Sequence, residues 1–98
     1  MIVKYHKEET ASGGAISFNT DDIRGVVYRI LVKPLTSTIT YDLTITDDNS
    51  LVVYGKNGIR GTLNDLTQHT LKGIHTVAVA NTSVNELFEF QIEYEEIM

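Results

Sequence analysis

The 98-residue chain has no cysteine, no tryptophan and a single proline, Pro34. Without cysteine it can form neither a disulfide nor a thiolate metal site. A small β domain without disulfides is more typical of a reducing cytoplasm than of secreted proteins. The chain also lacks a signal-like apolar segment at its start and any run of about 18 apolar residues. We therefore expect synthesis in a cytoplasm and no membrane partner.

Basic residues are few and scattered: the chain has eight, against 13 acidic ones, for a net charge of −5. A nucleic-acid-binding surface usually needs a basic stripe that neutralises phosphates. We expect no nucleic-acid partner.

Motifs that carry chemistry are missing as well. The sequence has no G-x-S-x-G elbow, no phosphate-cradling glycine loop and no paired-histidine metal motif. His6, His69 and His75 lie in separate segments, and the acidic turns lack the spacing of a calcium loop. We expect no enzymatic activity, no cofactor and no metal site.

What the sequence does contain is β-branched residues. Valine and isoleucine together number 19 against eight leucines, and threonine contributes 12 residues. These side chains favour a pleated surface over a helix. The length suits one domain, so we expect a single all-β domain over residues 1–98, with an N-terminal arm (1–10) and a C-terminal tail (96–98).

The clearest strand pattern lies between Gly25 and Asp48, and Pro34 falls near its middle. Strict alternation predicts two strands, 24–33 and 38–47, joined as a hairpin by a loop that begins at Pro34. We expect one face of this hairpin to supply the core, with the residues Val26, Tyr28, Ile30, Val32, Ile39, Tyr41, Leu43 and Ile45.

Further strands are predicted at 2–8, 15–19, 51–55, 74–81 and 86–95, and 39–46 should pair with 51–55 around the Asp47–Ser50 turn. Asn57-Gly58 predicts another turn. Residues 59–72 lack alternation, and Thr62 with Asp65 resembles a helix cap pair, which predicts a crossover with a short helical turn around 62–67. About seven strands with these turn intervals favour an antiparallel β-sandwich, immunoglobulin-like or jelly-roll-like.

Two surfaces have a structural and a functional interpretation each. Thr38, Thr40, Thr44 and Thr46 satisfy β-propensity, yet they also form an uncharged face suited to packing on other subunits. The C-terminal strand, with Glu86, Glu89, Glu93, Glu95 and Glu96, is explained as a solvated face that discourages edge pairing, or as a surface for a basic partner.

Four segments together resemble a family of small phage virion proteins. They are G-x-V-x-x-I-x-V-x-P at 25–34, Y-D-L-T-I-T-D at 41–47, G-I-x-T-V-A-V-A-N at 73–81 and F-x-F-x-I-x-Y at 88–94, with a glycine turn at Gly55. The resemblance covers about residues 16–94. It implies a β-sandwich structural protein encoded among phage head and tail genes, without catalytic residues.

The resemblance implies a capsid decoration, or cement, protein that binds the outer capsid surface and stabilises the head. Its partner would be the major capsid protein, its location the virion surface, and its own assembly a homo-oligomer, by analogy a trimer. Alternatives are a tail or head–tail connector component and a small carbohydrate-binding or adhesin module.

For such a protein we expect contacts from the N-terminal arm, the 56–72 segment, the threonine face and the C-terminal tail, because loops and termini can reach over neighbours while the sandwich stays rigid. The residues singled out are Tyr5, His6, Thr40, Asp42, Thr44, Lys56, Asn57, Arg60 and Ile97.

Overall fold

The fold is an antiparallel sandwich of two four-stranded sheets, seen in a computed structural model that describes residues 1–82 and 85–97. Within these residues there are eight strands and no helix: β1 (Ile2–Thr10), β2 (Ile16–Asn19), β3 (Ile23–Pro34), β4 (Thr40–Thr46), β5 (Val52–Arg60), β6 (Leu63–Gly73), β7 (Thr76–Ala80) and β8 (Leu87–Glu96). Sheet 1 has the order β1-β8-β3-β6 and sheet 2 the order β2-β7-β4-β5. No helix in the described part of the chain is long and apolar enough to span a membrane.

The strand pairing is nested. The first strand pairs with the eighth, the second with the seventh, the third with the sixth and the fourth with the fifth. A long antiparallel ribbon of this kind, rolled up so that β3 also meets β8 and β4 also meets β7, is a jelly roll. Of the two sandwich types expected from the sequence, the structure is therefore the jelly roll.

Several sequence predictions are confirmed. Strands occur at all the predicted positions, β4 and β5 form the expected hairpin, and Pro34 is the last residue of β3. The Asp47 carboxylate closes the β4–β5 turn by accepting hydrogen bonds from the amides of Asn49 and Leu51, both at 2.9 Å. Short polar side chains satisfy backbone donors in turns in this way.

The predicted hairpin over residues 25–48 is wrong. Its two strands, β3 and β4, belong to different sheets and face each other across the core, while β3 pairs with β6 and β8. Both strands were recognised correctly, but adjacency in sequence does not determine adjacency in a sheet when the ribbon rolls up.

A β-bulge corrects the predicted core face of β3. Val27 pairs with Tyr94 and Arg29 with Glu93, so Tyr28 is an extra residue between them. An extra residue shifts the alternation by one position. Val27 is therefore buried, whereas Val26 and Tyr28, both predicted for the core, lie on the outer face.

The helical turn predicted around 62–67 is also wrong, since these residues begin β6 and pair with β3. The inward-facing side chains near the middle of β6 include Asp65 and His69, which contact Tyr54 instead of completing an apolar stripe. Strand β6 is at the edge of sheet 1 and has an irregular register opposite Tyr28. For these reasons its sequence does not show the apolar alternation expected of a strand.

Asn57-Gly58 does not end a strand, as the turn prediction required, but forms a bulge inside β5. Leu43 pairs with Lys56 and Tyr41 with Ile59, and Gly58 has φ = 65°. The tight corner between β5 and β6 follows at Gly61, whose φ is 72° and whose carbonyl accepts a 2.7 Å hydrogen bond from the Tyr41 hydroxyl.

The core between the sheets is well filled. A void of about 10 Å³ beside Phe18, Ile30 and Leu43 is about the size of one water molecule. Leu43 and Phe88 are completely buried, and the ring of Phe88 lies edge-on to Tyr41 with centroids 5.2 Å apart.

Candidate interaction surface

The outer face of sheet 2 is almost free of charge. We call it the sheet-2 face, and it is made of Ser17 and Asn19 from β2, Thr76, Ala78 and Ala80 from β7, Thr40, Asp42, Thr44 and Thr46 from β4, and Val52, Gly55 and Arg60 from β5. Of these twelve residues only Asp42 and Arg60 are ionisable. The sequence predicted the threonine stripe of β4 but not that β2 and β7 extend it with small side chains.

Thr44 lies at the centre of the sheet-2 face. Its partners in the neighbouring strands are Ala78 and Gly55, neither of which carries a side chain longer than a methyl group. The surface around Thr44 is consequently low and even, with methyl and hydroxyl groups as its main chemistry. Such groups cost far less to desolvate than charged ones.

Asp42, a predicted contact residue, is held by its own neighbours. Its carboxylate accepts hydrogen bonds from the Gly58 amide at 2.8 Å and the Asn81 side-chain amide at 2.6 Å. The hydrogen bond from Gly58, and to a smaller extent the one from Asn81, lower the pKa of Asp42, because both stabilise the charged form. Asn81 has φ = 59°, so Asp42 fixes the β5 bulge and the end of β7 together.

Three predicted contact residues lie on β5 near this face. Arg60 is exposed and pairs with Thr40, and Asn57 is exposed in the bulge that Asp42 holds. Lys56 is directed the other way, towards β6, with its amine 3.7 Å from Asp65. The structure therefore brings together Thr40, Asp42, Thr44, Asn57 and Arg60, and separates Lys56 from them.

The remaining predicted residues are elsewhere. The N-terminal ten residues, expected as an arm, lie in and before edge strand β1, where Tyr5 faces the core and His6 the outer side of sheet 1. Burial, and then the charges of Asp21 and Glu9, raise the pKa of Tyr5. Ile97 is half-exposed beyond β8, and its amide donates to the Arg24 carbonyl at 2.9 Å. Met98 of the predicted tail lies outside the described residues.

His6 stands in a small ionisable cluster. Its Nε2 is 3.6 Å from a Glu89 carboxylate oxygen and 3.9 Å from one of Glu8. These three side chains offer ligand atoms within 4.8 Å of one another. They are partly or fully exposed and lie at ion-pair distances, which is the ordinary arrangement of charged residues on a strand surface.

Sheet 1 presents a different outer surface that sequence reading missed. Tyr28 is 40% exposed there, and Leu66 on the neighbouring strand is 76% exposed. The bulge at Tyr28 places both on the outside, a displacement that the alternation of apolar residues does not reveal.

No family model matches the chain, and no curated protein matches it. Among solved structures, it is similar to a chain described as "Structure of infectious bursal disease virus Gt strain", with a TM-score of 0.41 and 8% sequence identity. The alignment covers 96% of this chain but spans only 32% of the length of that one. A likeness of this size does not place the chain in a family.

Proposed function

We propose that the chain is a non-enzymatic structural protein of a phage virion, a decoration protein that docks on the capsid through its sheet-2 face. The neighbouring capsid subunits would be its partners and the outer shell its location. Its role would be to stabilise the head by burying surface across subunits, so that separating them also requires breaking its contacts.

The observation that carries this proposal is the chemistry of the sheet-2 face. Burying an unpaired charged side chain costs on the order of several kcal/mol. Ten of the twelve residues of this face carry no charge, so docking through it avoids most of this cost. The one carboxylate, Asp42, already has two hydrogen-bond donors, so docking leaves it satisfied. Only Arg60 would need a partner from the shell.

Two further observations support the proposal. The sequence resembles small phage virion proteins in strands β3, β4, β7 and β8, and β4 and β7 supply the centre of the sheet-2 face. Jelly rolls are a common fold of viral capsid domains, although they also occur in lectins and in cupins. Because one fold serves many functions, the surface chemistry and not the fold carries the argument.

Many copies make a weak contact effective. A decoration protein repeats over a symmetric shell, so a modest stabilisation at each position is multiplied along every line of subunits that would have to separate. A flat, neutral face suits this role because its association depends little on salt.

The test uses phage capsids that lack the protein. Purified protein should rebind them and raise their melting temperature, and Thr44→Lys, which adds an amine at the centre of the sheet-2 face, should abolish rebinding. Thr10→Lys is the matched control, since Thr10 is an exposed threonine at the end of β1 on the other sheet. Absence of rebinding by the wild-type chain, or equal rebinding by both variants, would refute the proposal.

A tail or connector role remains the alternative prediction. The number of copies of the chain per virion distinguishes it from a decoration role. For a decoration protein, quantitative mass spectrometry of intact virions should give a copy number close to that of the major capsid protein, or to a fixed fraction of it that the symmetry of the shell determines. A copy number of about a dozen or fewer would favour a connector or tail component instead.

A further inference from the structure

The outer face of sheet 1, which we call the sheet-1 face, separates its charges by sign across strands β8, β3 and β6, whereas edge strand β1 carries both signs, with Lys4 and Glu8. The charged side chains that strand β8 contributes to this face are all carboxylates, and those of the adjoining strands β3 and β6 are all cations. The carboxylates are Glu89, Glu93 and Glu95, and the cations are Arg24, Arg29, Lys33 and Lys72. In a chain with a net charge of −5, a one-signed group of four cations is an unexpected feature.

The carboxylates of β8 pair away from these cations, towards β1. Glu93 lies 3.6 Å from Lys4, and Glu89 lies 3.6 Å from His6. On the other side Arg24 pairs with Asp22 at 3.2 Å, whereas Arg29, Lys33 and Lys72 have no carboxylate oxygen within 4.0 Å among the described residues. Three of the four cations on the basic half of the sheet-1 face thus have no carboxylate partner among the residues that the structure describes.

Among these cations, Arg29 has a hydrogen-bond donor that is both buried and without an acceptor among residues 1–82 and 85–97. Its Nε is buried and has no hydrogen-bond partner in the described part of the chain. A buried, unpaired N–H of a charged group is costly, and native structures rarely leave one without an acceptor. The Arg29 side chain as a whole is only half-buried, so a carboxylate brought from outside would offset the charge of its guanidinium group.

Apolar side chains occupy the middle of the same face. Tyr28 and Leu66 are exposed, and Val26 and Leu31 are half-buried beside them. Tyrosine and arginine are the residue types most enriched at the energetic centres of protein interfaces, and Tyr28 and Arg29 are consecutive in the bulge of β3.

We infer that the sheet-1 face binds a second copy of this chain across a two-fold axis that runs parallel to the strands. Such an axis places β8 of one copy over β3 of the other and the reverse, since the two strands are neighbours in the middle of the sheet. Glu93 is paired in register with Arg29 and Glu89 with Lys33, so these two carboxylates face Arg29 and Lys33 of the second copy, whereas Glu95, in register with Val26, faces an apolar side chain.

Charge complementarity selects this partner and this axis. A two-fold axis lying across the strands would place β8 over β8 and β3 over β3, so that like charges meet. A uniformly acidic partner would be repelled by β8, and a uniformly basic one by β3 and β6. Only a surface that carries the same two stripes in reverse order suits the sheet-1 face, and a second copy supplies it by symmetry.

The size of the face sets the expected strength. Four strands about 4.8 Å apart and nine paired rows of about 3.3 Å give a face of roughly 19 by 30 Å, or about 570 Å² per copy. A total of about 1,100 Å² is just below the range of standard stable complexes and is typical of weak, transient association. We therefore expect a dimer that dissociates on dilution, with a dissociation constant within the concentration range tested below.

The dimer has a consequence for assembly. In the dimer each copy contacts the other through sheet 1, so the two sheet-2 faces point in opposite directions. A single shell surface can therefore bind only one of the two sheet-2 faces. The dimer is independent of the proposed function, because its contacts lie on the other sheet.

The test is a charge swap measured by sedimentation equilibrium between about 1 and 200 µM. Glu93→Arg and Arg29→Glu should each raise the dissociation constant at least tenfold, and the double variant, in which the stripes are complementary again, should restore it. Raising NaCl from 0.1 to 1 M shortens the screening length from about 10 to about 3 Å and should weaken the wild-type dimer.

Two variants guard against misfolding and unrelated charge effects. Leu66→Lys changes a side chain that is 76% exposed, and should break the dimer while leaving the thermal unfolding midpoint of the monomer unchanged. Arg60→Glu reverses a charge on the sheet-2 face and should leave the dimer intact. A wild-type chain that is monomeric throughout, a trimer, or a dimer that tolerates both single reversals would overturn the inference.

Discussion

Gly25 provides a sharp test of the register between β3 and β8. It lies on the inner side of β3, paired with Glu96 on β8 and with Leu71 on β6. A Cβ atom at this position would lie 2.9 Å from Tyr94 Cδ2 and 2.9 Å from the carbonyl carbon of Glu95, and closer still to that carbonyl oxygen. Carbon atoms in good contact are about 3.5–4.0 Å apart, so Gly25→Ala forces the backbone of β8 to move.

The magnitude follows from the nature of the obstacle. Overpacking a well-filled core usually costs about 1–3 kcal/mol, and a backbone carbonyl yields less easily than a flexible side chain. For a domain of this size a loss of about 2 kcal/mol lowers the melting temperature by roughly 8–16 °C. Thermal unfolding followed by circular dichroism, with urea unfolding to obtain the free energy, measures the effect.

Gly55→Ala is the matched control. Gly55 is also in a strand, but a Cβ there meets only Leu43 O and a Val52 methyl group, both at 3.7 Å, which is ordinary contact. Removing the extra freedom of glycine should leave stability unchanged or raise it by about 0.5–1 kcal/mol. If Gly25→Ala is as stable as Gly55→Ala, β8 does not pass Gly25 as described, and the arrangement of sheet 1 is refuted.

Three further predictions concern β4. Leu43→Ala should lower the free energy of unfolding by about 2–5 kcal/mol in urea titrations, because Leu43 is fully buried between the sheets; a loss under about 1 kcal/mol would contradict that burial. Asp42→Ala should speed hydrogen exchange at the Gly58 amide, which loses its acceptor, and unchanged exchange would show that the bulge forms without it. Burial raises the pKa of Tyr41 to about 12, so the unfolded chain releases this proton first, near pH 10, and stability should fall between pH 10 and 12. Burial and the Asp65 carboxylate raise the pKa of Tyr54 as well, so Tyr41→Phe should make this fall less steep without abolishing it, and an equally steep fall in the variant would assign it to other groups.

The sequence predicted the strands better than their arrangement. Alternation identified β4 and β8 because each has one face on the core and one outside. The nested pairing could not be read in the same way, since β1 with β8 and β2 with β7 join residues that are far apart in the chain. Local patterns carry no information on which distant strand completes a sheet.

The missed features share a local cause. The bulge at Tyr28 reverses the facing of Val26 and Tyr28, and no residue type in Val27–Arg29 marks it. In β6 the inward positions are taken by Asp65, which accepts a hydrogen bond from the Tyr54 hydroxyl, and by His69, which lies edge-on to the Tyr54 ring. The apolar alternation is therefore missing although the backbone is extended. Of the predicted interaction residues, Thr40, Asp42 and Thr44 were assigned to the outer side of their strand by alternation alone, and the structure has them there.

The two faces of the sandwich differ in what they can bind. The sheet-2 face is neutral and of low relief, which favours a broad contact with little charge to desolvate. The sheet-1 face carries opposite charges in separate stripes around Tyr28 and Leu66, which favours one orientation of one partner. A homo-oligomer formed through sheet 1 and a shell contact formed through sheet 2 are therefore compatible within one molecule.

The most direct test of the central claim is a cryo-electron microscopy reconstruction of capsids decorated with the purified chain. We predict that the jelly roll lies with its sheet-2 face against the shell, that Thr44 is within contact distance of a capsid subunit and that sheet 1 is directed away. A reconstruction in which the shell contacts sheet 1 or the strand edges while Thr44 faces solvent would contradict this account.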